Sequence, residues 1–469
     1  MASSILSLAS NLTSFAWPRL VSLSRSAILG ALKNIQIGSL HITDTDGTRT
    51  VCGTSRRPHD DGGDKGTVYA VPHAELRVLD DLFWVRMLVF GDMGFAESYM
   101  LGEVACPDLP VFFRLFIRNR DHLSDGTTVT SALSARLAAI ARRTNTLANA
   151  RLNISAHYDI SNDMFAAFLS PDMTYSCPIW LPTTHADAPL DTLERAQDRK
   201  LRRFIFQARI KSTDHVLEIG TGWGSFAILA ARETGCRITS LTLSAEQKQL
   251  ADARIADAGL ADRITVLLCD YRHLEPASDD RDRFDKIVSI EMLEAVGPEF
   301  LDTYFGCVDR LLKCDGGIAV FQCITMPESR YAAYRTSDDF IRRYIFPGGH
   351  LPTVTRLLNA ARTGSSDNGR RPPRLIPESL ENIGPHYTKT LRLWRGSFMR
   401  NFESDIRPVL MRDAAGATTM SDADVATFRR KWEYYFAYCE AGFACKVLGD
   451  VILTFGREGA VEMMEDVPL

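Results

Sequence analysis

The chain has 469 residues, which is room for two or three domains, and its 45% hydrophobic and 24% charged residues are typical of a globular protein. Its 54 Lys and Arg residues nearly balance 58 Asp and Glu residues, and the net charge of −4 argues against a nucleic-acid-binding protein. Ten cysteines without a CxxC pair indicate reduced thiols, and no apolar run has the length of a transmembrane helix. These features predict a cytoplasmic protein that is at most peripheral to a membrane.

Residues 1–37 form a Ser-rich N-terminal segment whose only charged residues are Arg19, Arg25 and Lys33. The lack of acidic residues is typical of an amphipathic or mitochondrial targeting segment. We favour the alternative that residues 28–38 form the first helix of the following domain, because they lead directly into a strand-like run.

A small α+β domain is predicted at residues 38–124. Short alternating runs are followed there by the apolar segments 82–90 and 111–117, a composition that suits a lipid-binding domain and equally suits an ordinary core. A Ser-, Thr- and Ala-rich linker at 125–150 then leads into a catalytic domain predicted over 151–469.

From residue 214 onwards the sequence repeats a strand followed by a helix. Apolar, strand-like runs alternate with helices that end at Gly235 and Gly259. This alternation predicts an α/β fold in which a parallel sheet is covered by helices on both faces. A Gly-, Arg- and Pro-rich stretch at 362–374 predicts a solvated, mobile loop.

A glycine-rich turn follows the first of these strands, in the run Val216-Leu-Glu-Ile-Gly220-Thr-Gly222-Trp-Gly224. Glycines there let the backbone approach a ligand at the carboxyl end of the strand, although the pattern alone fits NAD, FAD and S-adenosylmethionine. The second strand does not end in the acid that a nicotinamide ribose requires. Glu218 instead precedes the glycines, where it suits the ammonium group of S-adenosylmethionine, so a methyltransferase is favoured over a dehydrogenase.

Further motifs lie on both sides of this turn. They are His157-Tyr-Asp159, Met173-Thr-Tyr175-Ser176-Cys177, Thr242-Leu-Ser-Ala-Glu-Gln247, Met292-Leu-Glu294-Ala-Val-Gly297, Tyr344-Ile-Phe-Pro-Gly-Gly349 and Gly384-Pro-His-Tyr387. In this order, the set resembles the cyclopropane-fatty-acyl-phospholipid synthase family, whose relatives include the mycolic acid cyclopropane synthases. The resemblance implies a Rossmann-like S-adenosylmethionine methyltransferase domain with a smaller N-terminal α+β domain.

The resemblance also implies a reaction. The methyl group of S-adenosylmethionine is added to a cis double bond of an unsaturated phospholipid acyl chain, and the resulting carbocation loses a proton as a cyclopropane ring closes. Such a cation requires a dry pocket lined by aromatic rings. Candidate rings are Trp180, Tyr304, Phe305, Tyr344, Tyr387, Trp394 and those of residues 432–436. Residues expected to contact S-adenosylmethionine are Tyr175, Ser176, Glu218, Gly220, Gly222, Gly224, Thr242, Gln247, Asp270 and Tyr271.

In the family that the chain resembles, the proton is thought to be taken by a bound bicarbonate ion. The ligands implied for it are Cys177, Glu294, the backbone near Ile324, Tyr387 and Gln322. Gln322 stands where the family has a histidine; its amide can donate a hydrogen bond to bicarbonate but carries no charge. Ala295 likewise replaces the histidine that usually follows the glutamate.

Two more residues are catalytic candidates by motif alone. His157 belongs to the first motif, and Cys439 matches a family cysteine once proposed as a nucleophile. Because methyl transfer to an alkene does not need a thiolate, and because Cys439 lies in an apolar helix, we favour a packing role for it. No spacing of His, Cys and carboxylate residues predicts a metal site.

Other functions stay open at this point. The replacements at Gln322 and Ala295 keep a methyl-branched acyl chain or a methylated sphingoid base as alternative products, because deprotonation decides which product forms. A chain that had lost this chemistry would be a non-catalytic lipid-binding protein. The expected partners are phospholipids with unsaturated acyl chains, reached by peripheral membrane contact through residues 335–350. A second copy of the chain, in a homodimer, is a further candidate partner.

Overall fold

The computed structural model describes residues 2–53, 71–123, 161–367, 369–411, 420–465 and 468. The chain divides into two compact units. The first unit consists of Met1–Asp159, Asp339–Ile345 and Phe402–Cys445, and the second of Ile160–Asp338, Phe346–Asn401 and Lys446–Leu469. The predicted linker at 125–150 and the predicted boundary at residue 151 lie outside the described residues. The grouping of Phe402–Cys445 with the N-terminal residues was not predicted.

The N-terminal part of the first unit is mixed α and β, as the sequence predicts. Its elements are α1 (Ala2–Leu32), β1 (Ser39–Thr43), β2 (Arg49–Gly53), β3 (His73–Val78), α2 (Leu82–Phe90), α3 (Asp92–Leu101), β4 (Val104–Ala105) and α4 (Leu109–Leu123). The strands form one sheet in the order β2-β1-β3-β4, in which only β1 and β3 are parallel. Helix α1 is longer than the predicted helix at 28–38. Within the described ranges, no helix has the length and apolar character needed to cross a bilayer.

The strand and helix alternation predicted from residue 214 is present in the second unit. In chain order the remaining elements are α5 (Asn162–Ala166), α6 (Leu193–Gln207), β5 (His215–Ile219), α7 (Ser225–Thr234), β6 (Arg237–Thr242), α8 (Ala245–Asp257), β7 (Ile264–Leu268), β8 (Lys286–Ile290), α9 (Leu301–Leu311), β9 (Ile318–Thr325), α10 (Glu328–Thr336), α11 (Val354–Ser365), β10 (Ile376–Asn382), α12 (His386–Asn401), α13 (Arg407–Met411), α14 (Asp422–Ala444) and β11 (Gly449–Gly456). Helices α13 and α14 belong to the first unit.

A seven-stranded sheet organises the second unit, in the order β10-β11-β9-β8-β5-β6-β7. Strands β5 to β9 are parallel to one another, whereas β11 is antiparallel to both β9 and β10. The α/β fold class is confirmed. Because β5, β6, β7 and β8 are parallel and adjacent, their carboxyl ends meet at one edge of the sheet, where open α/β sheets bind their ligands.

The strands of this sheet are almost continuously apolar because the core of the second unit buries them. Side chains such as Leu217, Ile287 and Phe321 are buried together with Tyr304 and Phe305 from α9. A parallel sheet buried on both faces favours such runs over alternating ones. Tyr304 and Phe305, two candidates for the carbocation pocket, are therefore core residues.

The predicted loop at 362–374 differs from its prediction. Helix α11 continues to Ser365, so the stretch begins inside a helix. Further along, Arg371 and Arg374 both donate to the buried carboxylate of Asp309, which also pairs with Arg457 at 2.9 Å. A buried carboxylate satisfied by arginines fixes the chain that carries them.

Candidate active site

The glycine turn, defined by Gly220, Gly222 and Gly224, joins β5 to α7. These glycines have φ values of +104°, +52° and +86°, which favour glycine over residues with a Cβ. The N–H groups of Gly220 and Thr221 donate to the Leu241 carbonyl at 3.0 and 2.9 Å, which ties the turn to β6. A Cβ built on Gly222 would meet no heavy atom within 4 Å. The turn therefore leaves open space beside its backbone for a ligand.

Glu218 lies buried in β5, two residues before the glycine turn. Its Oε2 accepts a hydrogen bond of 2.5 Å from the Ser240 hydroxyl, and the Ser240 Oγ lies 2.7 Å from Thr221 Oγ1 in the turn. Burial raises the pKa of Glu218 to about 8. A cation bound nearby would favour the ionised carboxylate, so this residue fits the positively charged S-adenosylmethionine.

The other predicted cofactor residues on the sheet follow β6 and β7. Thr242 Oγ1 donates to Gln247 Oε1 at 3.0 Å, where β6 leads into α8. Asp270, after β7, pairs with Arg272 at 2.6 Å, and this hydrogen bond lowers the pKa of Asp270. Tyr271 follows it directly. These residues lie at the edge that holds the glycine turn, and the set fits S-adenosylmethionine, whose hydroxyl and amino groups need such partners.

Tyr175 and Ser176 precede the sheet in the chain and lie in the second unit. The Ser176 hydroxyl is 2.6 Å from the buried ammonium of Lys200. The ring of Tyr175 lies 5.2 Å from that of Trp394, which in turn lies 6.0 Å from the ring of Tyr387. Among the aromatic candidates, Tyr387 and Trp394 thus form a continuous row of rings with Tyr175.

Glu291, the first residue after β8, receives three hydrogen bonds. The backbone N–H of Cys177 donates to its Oε1 at 2.7 Å, and Gln322 Nε2 donates to the same oxygen at 2.6 Å. The Tyr387 hydroxyl donates to Oε2 at 2.5 Å. Burial raises the pKa of Glu291, while the hydrogen bonds from Cys177 and Tyr387 act in the opposite direction. Three donors converge on one carboxylate, so this side chain acts as an acceptor.

Two more carboxyl groups, of Glu294 and Asp450, accompany Glu291; we call the three the acid cluster. Glu294 Oε1 accepts the N–H of Ile324 at 2.5 Å, and Gln322 Nε2 reaches Asp450 Oδ2 at 2.8 Å. Burial, together with the charge of Glu291, raises the pKa of Glu294 to about 8 and that of Asp450 well above its usual range. Glu294, with its pKa at about 8, therefore favours its protonated form at neutral pH, and burial acts on Asp450 in the same direction, whereas the three donors on Glu291 favour its ionised carboxylate.

Lys200 supplies the positive charge next to this cluster. It is fully buried in α6, and burial lowers its pKa, whereas the nearby charge of Glu291 raises it. A buried ammonium and a buried carboxylate each reduce the cost of keeping the other charged. One carboxylate is thus matched by one cation.

The acid cluster and the glycine turn adjoin each other. A Cβ built on Gly220 would lie 3.5 Å from the side chain of Met292, which directly follows Glu291 in the sequence. The glycine turn and the carboxylate at the end of β8 are therefore neighbours, an arrangement that can hold reacting groups close together.

The structure brings together the five residues predicted to bind bicarbonate, namely Cys177, Glu294, Ile324, Tyr387 and Gln322. Their N–H and O–H groups, however, already donate to acceptors within the protein and are not available to a bound ion. Cys177, Gln322 and Tyr387 donate to Glu291, and Ile324 donates to Glu294. A bicarbonate ion beside this carboxylate would add a second negative charge and would find these donors engaged. Because these donors already have partners, the residues present do not fit bicarbonate.

Two other candidates were predicted from motifs alone. His157 is outside the described residues. Cys439 lies in α14 of the first unit, whereas the residues described above belong to the second. Burial raises the pKa of the Cys439 thiol, which keeps it protonated and suits the packing role. The described residues contain no cluster of His, Cys, Asp and Glu side chains arranged to hold a metal ion.

Sequence reasoning missed Glu291, Asp450 and Lys200. A signal for Glu291 was present, because a charged residue directly after an apolar strand of an α/β sheet lies at the ligand-binding edge. The motif used for the resemblance begins one residue later, at Met292. Asp450 and Lys200 carry no such signal, since each lies in a stretch that also reads as ordinary core or helix.

Comparison with known proteins agrees with this geometry. The family model described as mycolic acid cyclopropane synthetase matches residues 145–451. The tuberculostearic acid methyltransferase of Mycobacterium tuberculosis is 37% identical over 375 residues, which cover 79% of this chain and 80% of that protein. The cyclopropane-fatty-acyl-phospholipid synthase of Escherichia coli K12 is 32% identical over 403 residues, 83% of this chain and 90% of that protein.

Solved structures show the same relationship. The mycolic acid cyclopropane synthase CmaA1 complexed with SAH and CTAB is similar with a TM-score of 0.52 and 26% identity, over 66% of this chain and 98% of that one. Coclaurine N-methyltransferase with SAH gives a TM-score of 0.56 over 79% of this chain and 100% of that one. At 16% identity the latter shows the fold alone.

Proposed function

We propose, since this chain belongs to the mycolic acid cyclopropane synthetase family and is an S-adenosylmethionine-dependent lipid methyltransferase, that it methylates a cis double bond in an unsaturated acyl chain of a phospholipid. The methyl carbon bonds to one alkene carbon as its bond to sulfur breaks, and the neighbouring carbon becomes a cation. Loss of a proton from the transferred methyl group then closes a cyclopropane ring.

The observation that carries this proposal is the acid cluster beside the glycine turn. S-adenosylmethionine would lie along the turn near Glu218 and supply the methyl cation equivalent. Glu291, Glu294 and Asp450 would face the point where positive charge develops. Tyr387 and Trp394 line the same region with aromatic faces, which stabilise a carbocation and exclude the water that would trap it.

A second product has specific support. The relative with 37% identity is named a tuberculostearic acid methyltransferase, whereas the one with 32% identity is named a cyclopropane synthase. The two products diverge after methyl transfer, because the proton that leaves decides the outcome. If the transferred methyl group loses a proton while its carbon bonds to the neighbouring cationic carbon, the ring closes. If a hydride first shifts to that carbon, loss of a methyl proton leaves a methylene branch. The methylated double bond is common to both proposals.

Peripheral membrane contact is part of the proposal, since an acyl chain must leave a bilayer to react. Helix α1 supports it: Trp17, Leu20 and Leu23 are 41%, 43% and 69% exposed, and the helix contains no acidic residue. Exposed apolar side chains on a helix without negative charge suit the headgroup boundary. In the region 335–350, which the sequence favoured, Arg342 is paired with Asp339 at 2.8 Å and offers less free charge.

Vesicle flotation tests the helix. The full chain is mixed with vesicles of dioleoyl phospholipid, and the fraction that floats is compared for the wild type, the double variant Leu20→Ser with Leu23→Ser, and Leu190→Ser as a control with a similarly exposed leucine. We expect the double variant to bind about tenfold more weakly, because two apolar side chains no longer enter the interface. Equal flotation of all three proteins would show that Leu20 and Leu23 of α1 do not contribute to membrane binding.

The activity is tested by mass spectrometry of fatty acids from a host that lacks its own synthase. Cells express the wild type, Glu291→Gln, or Glu275→Gln, a control at an exposed glutamate. Monounsaturated chains should gain the mass of one CH₂ with the wild type and the control, and far less with Glu291→Gln, which lacks the carboxylate that faces the developing cation. A product without a double bond that resists mild hydrogenation indicates the ring, and a reducible methylene indicates the branch. Wild-type protein that binds S-adenosylmethionine but leaves every acyl chain unchanged would refute the proposal.

A further inference from the structure

Glu291 fulfils the requirements expected of a bound anion in this site. Its two oxygens accept the hydrogen bonds from Cys177, Gln322 and Tyr387 at 2.5 to 2.7 Å, which are three of the contacts expected for bicarbonate. Charge-assisted hydrogen bonds of this length are among the stronger ones in proteins. The negatively charged group in this position is therefore the carboxylate of Glu291, a side chain of the protein itself.

The backbone at Glu291 provides independent support. Its φ is +50°, a left-handed conformation that is uncommon for a residue with a Cβ. Such a conformation costs on the order of 1 kcal/mol and is retained mainly where the surrounding structure or function requires it. Glycine would relieve this cost at the end of β8. The chain instead keeps a glutamate there, with its carboxylate hydrogen bonded to three separate segments.

We propose that Glu291 is the proton acceptor of the reaction, in place of bicarbonate, so that this enzyme works without that ion. The inference rests on the proposed function and adds the identity of the base. After methyl transfer, S-adenosylhomocysteine leaves as a neutral thioether. The electron pair of one C–H bond of the cationic product forms the new C–C bond, and its proton passes to a Glu291 oxygen, giving a neutral carboxylic acid and a neutral lipid.

The neighbouring groups suit this role. The three hydrogen-bond donors and the neighbouring Lys200 all favour the ionised form of Glu291 against the effect of burial. Gln322 donates to Glu291 and Asp450 through the same Nε2, so it fixes the two carboxyl groups relative to each other. The side chain is thus held as an anion and cannot rotate freely.

The first experiment measures whether bicarbonate binds. The full chain with S-adenosylhomocysteine is titrated into ¹³C-labelled bicarbonate, and the NMR linewidth of the ion is followed for the wild type, Glu291→Gly and the control Glu275→Gln. We expect broadening only with Glu291→Gly, because removal of the carboxylate frees the three donors. Broadening by the wild type, or none by folded Glu291→Gly, would overturn the proposal.

The second experiment measures methyl transfer to dioleoyl phospholipid vesicles, with bicarbonate removed or added. The wild-type rate should not change on removal. Glu291→Gln should be at least about 100-fold slower, the usual contribution of a general base, with unchanged affinity for S-adenosylmethionine. Glu291→Gly should be equally slow without bicarbonate and should recover at least about tenfold when it is added, since the ion can then take the vacated position.

The outcomes separate this inference from the proposed function. A wild-type rate that falls when bicarbonate is removed, or a Glu291→Gln variant as fast as the wild type, would overturn the role of Glu291. If the wild type methylates no unsaturated phospholipid, the proposed function fails, and the bicarbonate titration still decides whether Glu291 occupies the place of the ion. Glu291→Gly relieves a strained backbone, so loss of folding is not expected to obscure its result.

Discussion

The cofactor residues and the acid cluster lie at the same edge of one sheet, yet they are built differently. Hydrogen bonds of the cofactor residues span short stretches of sequence: Thr242 and Gln247 are five residues apart, Asp270 and Arg272 two, and Glu218 and Ser240 22. The contacts of Glu291 with Cys177 and Tyr387 span 114 and 96 residues. Binding of a common cofactor is thus encoded in short motifs, whereas the chemistry that distinguishes this enzyme depends on distant segments.

The largest effect should follow removal of the buried cation. Lys200→Met leaves Glu291 without its positive neighbour, and we expect the free energy of unfolding to fall by about 3–5 kcal/mol at neutral pH. The loss should shrink as the pH is lowered, because Glu291 then takes up a proton and no longer needs a positive neighbour. Urea unfolding at neutral and at acidic pH measures this.

Lys211→Met is the matched control for that comparison. Lys211 is exposed and lies 3.1 and 3.2 Å from Glu462 and Glu465, so its loss should destabilise the protein far less, because solvent screens an exposed ion pair. Equal destabilisation by the two variants would show that Lys200 is not coupled to the acid cluster.

A smaller effect is expected from the buried acid beneath the glycine turn. The pKa of Glu218 is raised from 4.5 to about 8, so between these values the folded protein binds a proton that the unfolded chain releases. Stability therefore falls as pH rises through this window, by roughly 1 kcal/mol per pH unit for this group. In Glu218→Gln the decline should be shallower by that amount.

Urea midpoints at several pH values measure the slope for Glu218→Gln, with Glu275→Gln as an exposed control. Glu294, whose pKa is also raised to about 8, adds a decline of the same sign to every variant. If the urea midpoints of the wild type and Glu218→Gln changed with pH at the same slope, the raised pKa of Glu218 would be contradicted.

Removing one donor from the acid cluster should affect catalysis more than binding. Tyr387→Phe deletes the hydroxyl that donates to Glu291, and a hydrogen bond to a charged group contributes about 1.5–3 kcal/mol. We expect the rate of methyl transfer to fall about ten- to hundredfold, with unchanged affinity for S-adenosylmethionine. Tyr99→Phe, which deletes a hydroxyl that donates to Glu433 at 3.0 Å within the first unit, should leave the rate near that of the wild type, and a similar loss there would indicate a packing effect.

The smallest effect is expected at a local contact. Thr242→Val removes the 3.0 Å hydrogen bond to Gln247, and a neutral hydrogen bond contributes about 0.5–1.5 kcal/mol. Calorimetry should show S-adenosylmethionine binding weakened about two- to tenfold. Thr234→Val, at the end of α7, serves as the control. If Thr242→Val weakened binding by a larger factor than Tyr387→Phe slows the reaction, the local contacts of the cofactor residues would matter more than the long-range contacts of Glu291, contrary to our expectation.

Much of the molecule could be predicted before any coordinates. The family, the α/β fold, the methyltransferase activity and S-adenosylmethionine as cofactor follow from the glycine turn and the motifs around it, and they are confirmed. The residues predicted to surround bicarbonate do come together. The sequence analysis placed bicarbonate between them and did not include Glu291, which lies just outside the motif and whose partners are distant in the sequence.

The sequence by itself determined the parallel sheet and its ligand-binding edge, because apolar periodicity and glycines that need positive φ act over a few residues. Only the tertiary structure decided which charges are buried together. Lys200, Glu291 and Asp450 come from α6, the end of β8 and β11, and their protonation depends on shared burial and mutual distance. Electrostatic energies in a low-dielectric interior depend on these distances, which no local pattern specifies.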